Sequence, residues 1–221
     1  MKKIILLVIM LSSLFSTASY AEKRPKVEYS ADITVETGSD KVSGTVAYAP
    51  NKERQDVVIG KQKSTIITRH DKKVGWTLMP EQKMYMEFAL DPKKPAPGDT
   101  SGYKFKKTKV GPESVNGVDA TKYKVAATGP DGEKMDGFIW ETADGIMVKT
   151  DLHSQDNHML MELSHLKRGH QAPSLFEIPS DYAAMDIKGM LIGAGISAGK
   201  DRHRSHVKRH NEHKEGQVIP R

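Results

Sequence analysis

The sequence predicts a mainly β protein, a single strongly curved antiparallel sheet or barrel of about eleven strands with few helices. Three observations carry this. Apolar residues recur with period two in many short runs, turn-forming clusters separate those runs at short intervals, and no ten-residue segment before residue 180 has a 3.6-residue period. Sequential short strands without intervening helices also argue against a parallel α/β core.

Taken in chain order, the first element is not part of the fold. "MKK" is a basic n-region, "IILLVIMLSSLF" an apolar stretch of signal-peptide length, and Ser19 and Ala21 are the small residues that a signal peptidase reads. Residues 1–21 are therefore expected to be a signal peptide cleaved after Ala21, which leaves 200 residues bound for the periplasm. No later run approaches the roughly 18 apolar residues of a transmembrane span. The β domain is expected over 22–190.

Its first run, "KVEYSADITVE", puts Val27, Tyr29, Ala31, Ile33 and Val35 on one face. After "TGSD", "KVSGTVAY" repeats the pattern with Val42, Val46 and Tyr48, so the two form a hairpin. Further strands are expected at 55–60, 63–69, 73–79, 83–90, 103–110, 117–127, 133–141, 145–153 and 157–166. "DPKKPAPGDTSG" (91–102), "GPESVNG", "TGPDGE" and "TADG" separate the later ones. The 91–102 stretch is too rich in proline for a strand and should cross one mouth of the sheet as a long loop. An apolar Gly-rich segment follows at 191–199, then a polar, basic, His-rich tail at 200–221, too poor in apolar residues to offset its ordering entropy.

Composition removes several function classes. There is no Cys, so thiolate and redox chemistry are excluded and stability rests on burial. The net charge of +6 divides into +4 in residues 200–221 and +2 from Lys2 and Lys3, which leaves the body near neutral without a basic groove for nucleic acid. "LIGAGISAG" (191–199) fits both G-x-G-x-x-A and G-x-S-x-G, but either site needs further strands and helices, and the 22 residues that follow are polar and basic. Carboxylates of the body lie scattered among lysines, a solvated pattern with no acid and base pair. The chain is not expected to be an enzyme or to hold a cofactor.

Two sets of residues remain as candidate sites. "WTLMPEQKMYMEF" (76–88) crowds soft apolar side chains around a turn, and with Phe138 and Trp140 it suggests an apolar lining of Trp76, Leu78, Met84, Met86, Phe88, Phe138 and Trp140. A three-residue loop, Pro80 to Gln82, would set Leu78 opposite Met84 and Trp76 opposite Met86 on the concave side. In the tail, His203, His206, His210 and His213 would share one helix face and could hold Zn, Cu or Ni. His153, His158, His165 and His170 lie on or beside strands without a companion carboxylate at ligand spacing and read as ordinary strand-face residues.

The landmarks "GWTLMPEQKMYME" (Trp76, Leu78, Pro80, Lys83, Tyr85), "NGVDATKYKV" (Gly117, Ala120, Tyr123, Val125), "GFIWETADGIMVKTDL" (Trp140, Gly145, Val148, Lys149) and "SLFEIPSDYAAMDI" (Phe176, Pro179, Tyr182, Met185) occur in the order seen in LolA/LolB-like periplasmic lipoprotein carriers, a superfamily that residues 26–188 resemble. The resemblance implies an unclosed β-barrel whose hydrophobic concavity receives acyl chains. Such carriers cover the concavity with helices, which this body lacks, and LolB-type members are anchored through a Cys. The expected function is binding of a lipid, a lipoprotein acyl chain or another apolar ligand. The competing class is a structural or interaction protein of the envelope whose tail binds metal, an anionic membrane or peptidoglycan.

Overall fold

The computed structural model describes residues 24–185, apart from 39, 61, 91–103, 130–131 and 156. The described residues belong to one compact unit that ends at Met185. The expected signal peptide, the 91–102 loop, the Gly-rich segment and the His-rich tail lie outside the described residues.

Eleven strands follow one another: β1 (Tyr29–Thr37), β2 (Asp40–Ala49), β3 (Lys52–Ile59), β4 (Gln62–Arg69), β5 (Val74–Met79), β6 (Met84–Ala89), β7 (Lys104–Val115), β8 (Val118–Thr128), β9 (Lys134–Glu141), β10 (Met147–His153) and β11 (His158–Arg168). A 3₁₀ turn (Pro173–Phe176) and a two-residue strand, β12 (Ala183–Ala184), complete the described elements. They form one sheet in the order β12-β6-β5-β4-β3-β2-β1-β11-β10-β9-β8-β7, antiparallel except where β12 joins β6 in parallel. The order does not close on itself, so the sheet is a half-barrel, and residues 90–103 connect strands from its opposite ends.

The expected strand set is present, with two shifts at its boundaries. β3 begins at Lys52, directly after Pro50-Asn51, where Asn51 takes the positive φ of 63° that the third position of a type II turn needs. "GPESV" belongs to β7 and does not separate strands. The turn is only Asn116-Gly117, with φ of 49° and 77°, a two-residue turn of the kind that suits strand twist. Pro112 is tolerated because β7 is the last strand of the described order, and a bulge between Lys109 and Gly111 accommodates the local bend.

Cross-strand pairing sorts the side chains into two faces. The inner face carries Tyr29, Ala31, Ile33 and Val35 of β1, paired with Tyr48, Val46, Gly44 and Val42 of β2, and continues through Val57 and Ile66 on one side and Leu163 and Met161 on the other. All of these side chains are buried. With no α-helix or second sheet among the described residues, that burial requires the sheet to coil around its own inner face. Glycine permits the tightest coiling: a Cβ at Gly44 would lie 2.0 Å from the Asp56 carbonyl oxygen, and one at Gly137 would lie 2.0 Å from that of Asp151.

One carboxylate is enclosed in this core, apart from the solvated pattern expected of the body's carboxylates. Glu53 is buried on the inner face beside the stacked rings of Tyr29 and Tyr48, and its Oε1 accepts a 2.5 Å hydrogen bond from Gln55 Nε2. Burial pushes its carboxyl up to about 7.

The outer face is covered over β4 and β5. There Ile67, Trp76 and Leu78 are buried with Phe176, while Leu175, Ile178 and Tyr182 pack around them, so residues 172–185 form a strap across this end of the sheet. Two arginines fasten it. Arg54 makes a bidentate pair with Asp56 at 2.7 Å and donates to the Leu175 carbonyl at 3.1 Å; Arg69 pairs with Asp71 and Glu177 and donates to the Phe176 carbonyl at 3.2 Å. Arg69 holds the Asp71 carboxyl down at about 2. Past the turn, the Ala183 and Met185 amides donate to the Lys83 and Tyr85 carbonyls at 2.9 and 2.8 Å, and the strap ends as β12.

Phe176→Ala should therefore destabilise the protein by about 3 to 5 kcal/mol, read in urea denaturation as a lower midpoint with an unchanged m-value. Glu53 gives a pH dependence of definite sign. A Glu of the unfolded chain titrates near 4.5, so between that pH and about 7 the native state keeps a proton that the unfolded chain has released. The stability contributed below 4.5 is lost as pH rises through the folded value, roughly 3 kcal/mol for this group. Glu53→Gln should match the parent near pH 4 and exceed it at pH 8; equal stabilities at pH 8 would rule out this account.

Candidate functional site

The Met-rich stretch forms the β5–β6 hairpin, but with a register other than the expected one. Met79 pairs with Met84, so the loop is the four residues Pro80 to Lys83. The Gln82 amide donates to the Met79 carbonyl at 3.2 Å, and Lys83 takes a left-handed φ of 52° that removes it from the strand. The preceding loop, His70 to Lys73, has the same form with Lys73 at φ 55°. A four-residue loop reverses the parity of everything after it.

As a result Leu78 pairs with Tyr85 and Trp76 with Glu87, on the outer face. Trp76 and Leu78 belong to the closed core beneath the strap, and Trp76 Nε1 donates to Glu87 Oε2 at 2.9 Å. Met84, Met86 and Phe88 lie on the inner face with Met79, Thr77 and Gly75. All three are half-buried. The Phe88 ring lies over Gly75, where a Cβ would come within 2.3 Å of it.

Phe138 and Trp140 likewise stand apart from this group. On β9 they alternate with the inner-face residue Ile139, yet Trp140 is buried in the same core cluster as Tyr29, Ile33 and Leu163, and Phe138 packs against that cluster. Trp140 is buried with Val115, Ala120, Ile146 and Val148, and the Lys122 and Lys149 ammonium groups lie 4.7 and 5.2 Å from its ring centroid. The β7–β8 hairpin tip reaches β11, where Asn116 Nδ2 donates to the Leu163 carbonyl at 2.8 Å. Of the seven expected lining residues, then, the fold brings Met84, Met86 and Phe88 together on the inner face, places Trp76 and Leu78 beneath the strap, and packs Phe138 and Trp140 into the main core.

The inner face is sealed in its middle and at Val125 and Ala127 of β8, and is less covered at the β6 end. Half-buried Met79, Met84, Met86 and Phe88 mark the β6 end, and half-buried Tyr123, Leu152 and Met159 mark the arm that runs to β7. That arm also carries an enclosed ion pair, Lys107 Nζ to Glu141 Oε2 at 2.6 Å, with the ammonium 4.0 Å from the Tyr123 ring centroid. The Lys107 side chain is only 6% exposed, so its charge is met by this carboxylate and the ring together. Sequence reasoning missed the pair because its members are 34 residues apart and each sits among solvated charges. A separate cleft of about 740 Å³ opens at the hairpin ends between Val27, Val118, Thr142 and Leu166. Arg168 and Asp144 line it and pair at 2.6 Å, so its wall is substantially polar.

His153, His158, His165 and His170 also differ from expectation, since each has a carboxylate beside it. His153 and His158 lie against Asp151, His165 Nδ1 is 2.7 Å from Asp32 Oδ2, and His170 Nδ1 is 3.0 Å from Glu28 Oε2. Asp32 of β1 and Glu28, just before it, supply the last two carboxylates, at separations along the chain that no local spacing rule reaches. His203, His206, His210 and His213 lie outside the described residues.

The unclosed sheet is the fold that the resemblance to LolA/LolB-like carriers implies. Among solved structures the chain is similar to an uncharacterized conserved protein from Thermus thermophilus, at 10% identity over 84% of this chain and 99% of that one, with a TM-score of 0.52. It is also similar to the lipoprotein LppX of Mycobacterium tuberculosis, at 12% identity over 79% and 98% with a TM-score of 0.40. A third similar structure is a putative outer membrane lipoprotein-sorting protein domain from Vibrio parahaemolyticus, at 10% identity over 75% and 97% with a TM-score of 0.34. At these identities the likeness is one of fold alone. No curated protein matches the sequence. The family described as a domain of unknown function, DUF4412, matches residues 29–142, from the first residue of β1 to just past β9. The match covers both arms of the half-barrel and stops before β10 and β11, which join them, and the chain belongs to this family.

Proposed function

We propose that this protein binds an acyl chain or another extended apolar ligand on the inner face of its half-barrel, in the periplasm after removal of residues 1–21. The observation that supports the reading is the row Met79, Met84, Met86 and Phe88, four soft apolar side chains left half-buried on the concave side of a sheet that does not close. A core built only for stability would have covered that row, as residues 172–185 cover Trp76 and Leu78 on the outer face. Methionine suits the task because its unbranched, polarizable side chain repacks around varied shapes. Binding here is non-covalent and calls for no catalytic group. The exported location rests on the basic and apolar segments of residues 1–21.

The test is displacement of a fluorescent fatty acid from the full-length mature chain. The parent should bind the probe, and Met84→Trp and Met86→Trp should lower its affinity at least tenfold while melting temperatures stay within a few degrees. Ala at either position should be mild in stability, because a half-exposed side chain leaves less of the void that costs about 2 to 5 kcal/mol in a closed core. A parent that binds no probe, together with Ala variants that unfold, would make the row ordinary core and remove the proposal.

A further inference from the structure

The end of the β10–β11 hairpin gathers three metal-ligating side chains that the apolar inner face does not use. His153 and His158 are direct cross-strand partners on either side of the turn, with ring centroids 4.2 Å apart and planes within 4°. Asp151 precedes His153 by two residues and so projects from the same face. Its Oδ1 is 2.9 Å from His158 Nε2 and 3.2 Å from His153 Nε2, and one ligand atom from each of the three residues falls within 4.8 Å of the others.

One Asp151 carboxylate oxygen thus faces the Nε2 atom of each of two stacked imidazoles. The same positions suit a cation. In a tetrahedral site with metal–ligand bonds of about 2.0 to 2.1 Å, ligand atoms sit about 3.3 Å from one another. The two separations to the Asp151 oxygen fall within a few tenths of an ångström of that value.

We propose that Asp151, His153 and His158 form a surface site for a divalent transition metal, with Zn²⁺ first and Cu²⁺ or Ni²⁺ as relatives in chemistry. Two imidazoles and one carboxylate are an intermediate to hard donor set that these ions accept, and Ca²⁺ or Mg²⁺ would demand more oxygen. The side chains are 31%, 56% and 50% exposed, so the remaining coordination positions face solvent and can take water or a ligand from elsewhere. Asp136, the cross-strand partner of His153 on β9, lies on the same face and adds negative charge next to the site. The sequence signature is Asp-x-His on one strand and His at the hairpin position opposite the first His.

The full chain also carries His203, His206, His210 and His213, so the test begins by replacing those four with Ala in the full-length protein. That chain should bind one equivalent of Zn²⁺ in competition with a chromophoric chelator, and its melting temperature should rise with Zn²⁺. Adding His153→Ala and His158→Ala should weaken binding at least tenfold and abolish the thermal shift, with an unchanged far-ultraviolet circular dichroism spectrum; Asp151→Asn should weaken it less. Histidine ring NMR of the chain without body substitutions supplies a readout independent of variant folding, in which the His153 and His158 resonances should move first on adding Zn²⁺. No Zn²⁺ binding by the tail-substituted chain, affinity within twofold after the double substitution, or equal movement of His165 and His170 would each overturn the proposal.

Discussion

A sheet with no helical layer or second sheet laid on it can bury an apolar face only by coiling around that face, and this requirement governs the described part of the protein. Tyr29, Ile33, Val35, Val46, Met161 and Leu163 lie on central strands and reach near-complete burial because the flanking strands wrap towards them. The wrapping in turn needs close backbone approach, which Gly44 and Gly137 allow. At the β6 end fewer strands remain to enclose the inner face, and Met79, Met84, Met86 and Phe88 there are only half-buried. The open, methionine-lined region at the β6 end is thus a consequence of how the core is made.

The outer face follows a different logic. Over β4 and β5 it is apolar enough to need a cover, and the strap supplies one through Phe176, with Arg54 and Arg69 reaching the strap carbonyls from the sheet. A carbonyl in a 3₁₀ turn that lacks a partner within the chain segment costs free energy when buried, and a guanidinium already held by Asp56 or Asp71 is a rigid donor for it. The same pairing leaves both arginines neutralised, so each fastens the strap without presenting an isolated charge to the apolar core. Covered on one side and half-open on the other, β5 and β6 form a two-faced hairpin whose faces do different work.

Individual residues show how far the sequence can be read. The run from Val27 to Val35 announces β1 and its inner face because strand periodicity is local, and Asn116-Gly117 marks a hairpin for the same reason, although "GPESV" before it reads as part of the turn and is strand. Trp76 and Met86 read as sharing one face and lie on opposite ones, because the loop between them holds four residues instead of three. Lys83 gives no warning of this: a lysine in the left-handed region is uncommon, and its cost is offset by contacts of the strap and sheet that only the folded chain possesses. The partners of His165 and Lys107, and Glu177 as the strap partner of Arg69, escape for another reason, since each is remote along the chain and is brought close only by folding.

What the sequence by itself determined is the set of elements: strand number, mainly β class, the absence of thiol chemistry and the confinement of net positive charge to the two ends of the chain. These follow from composition and from periods a few residues long. Only the tertiary structure decided which side of each strand faces inward, that Trp76 and Leu78 lie in a closed outer core while Met84 and Met86 border an open inner one, and that Asp151 meets two histidines across a turn. The physical reason is that side-chain direction in a sheet has period two, so a single extra loop residue inverts every later assignment, and loop length is set by contacts that form only when the strands pair.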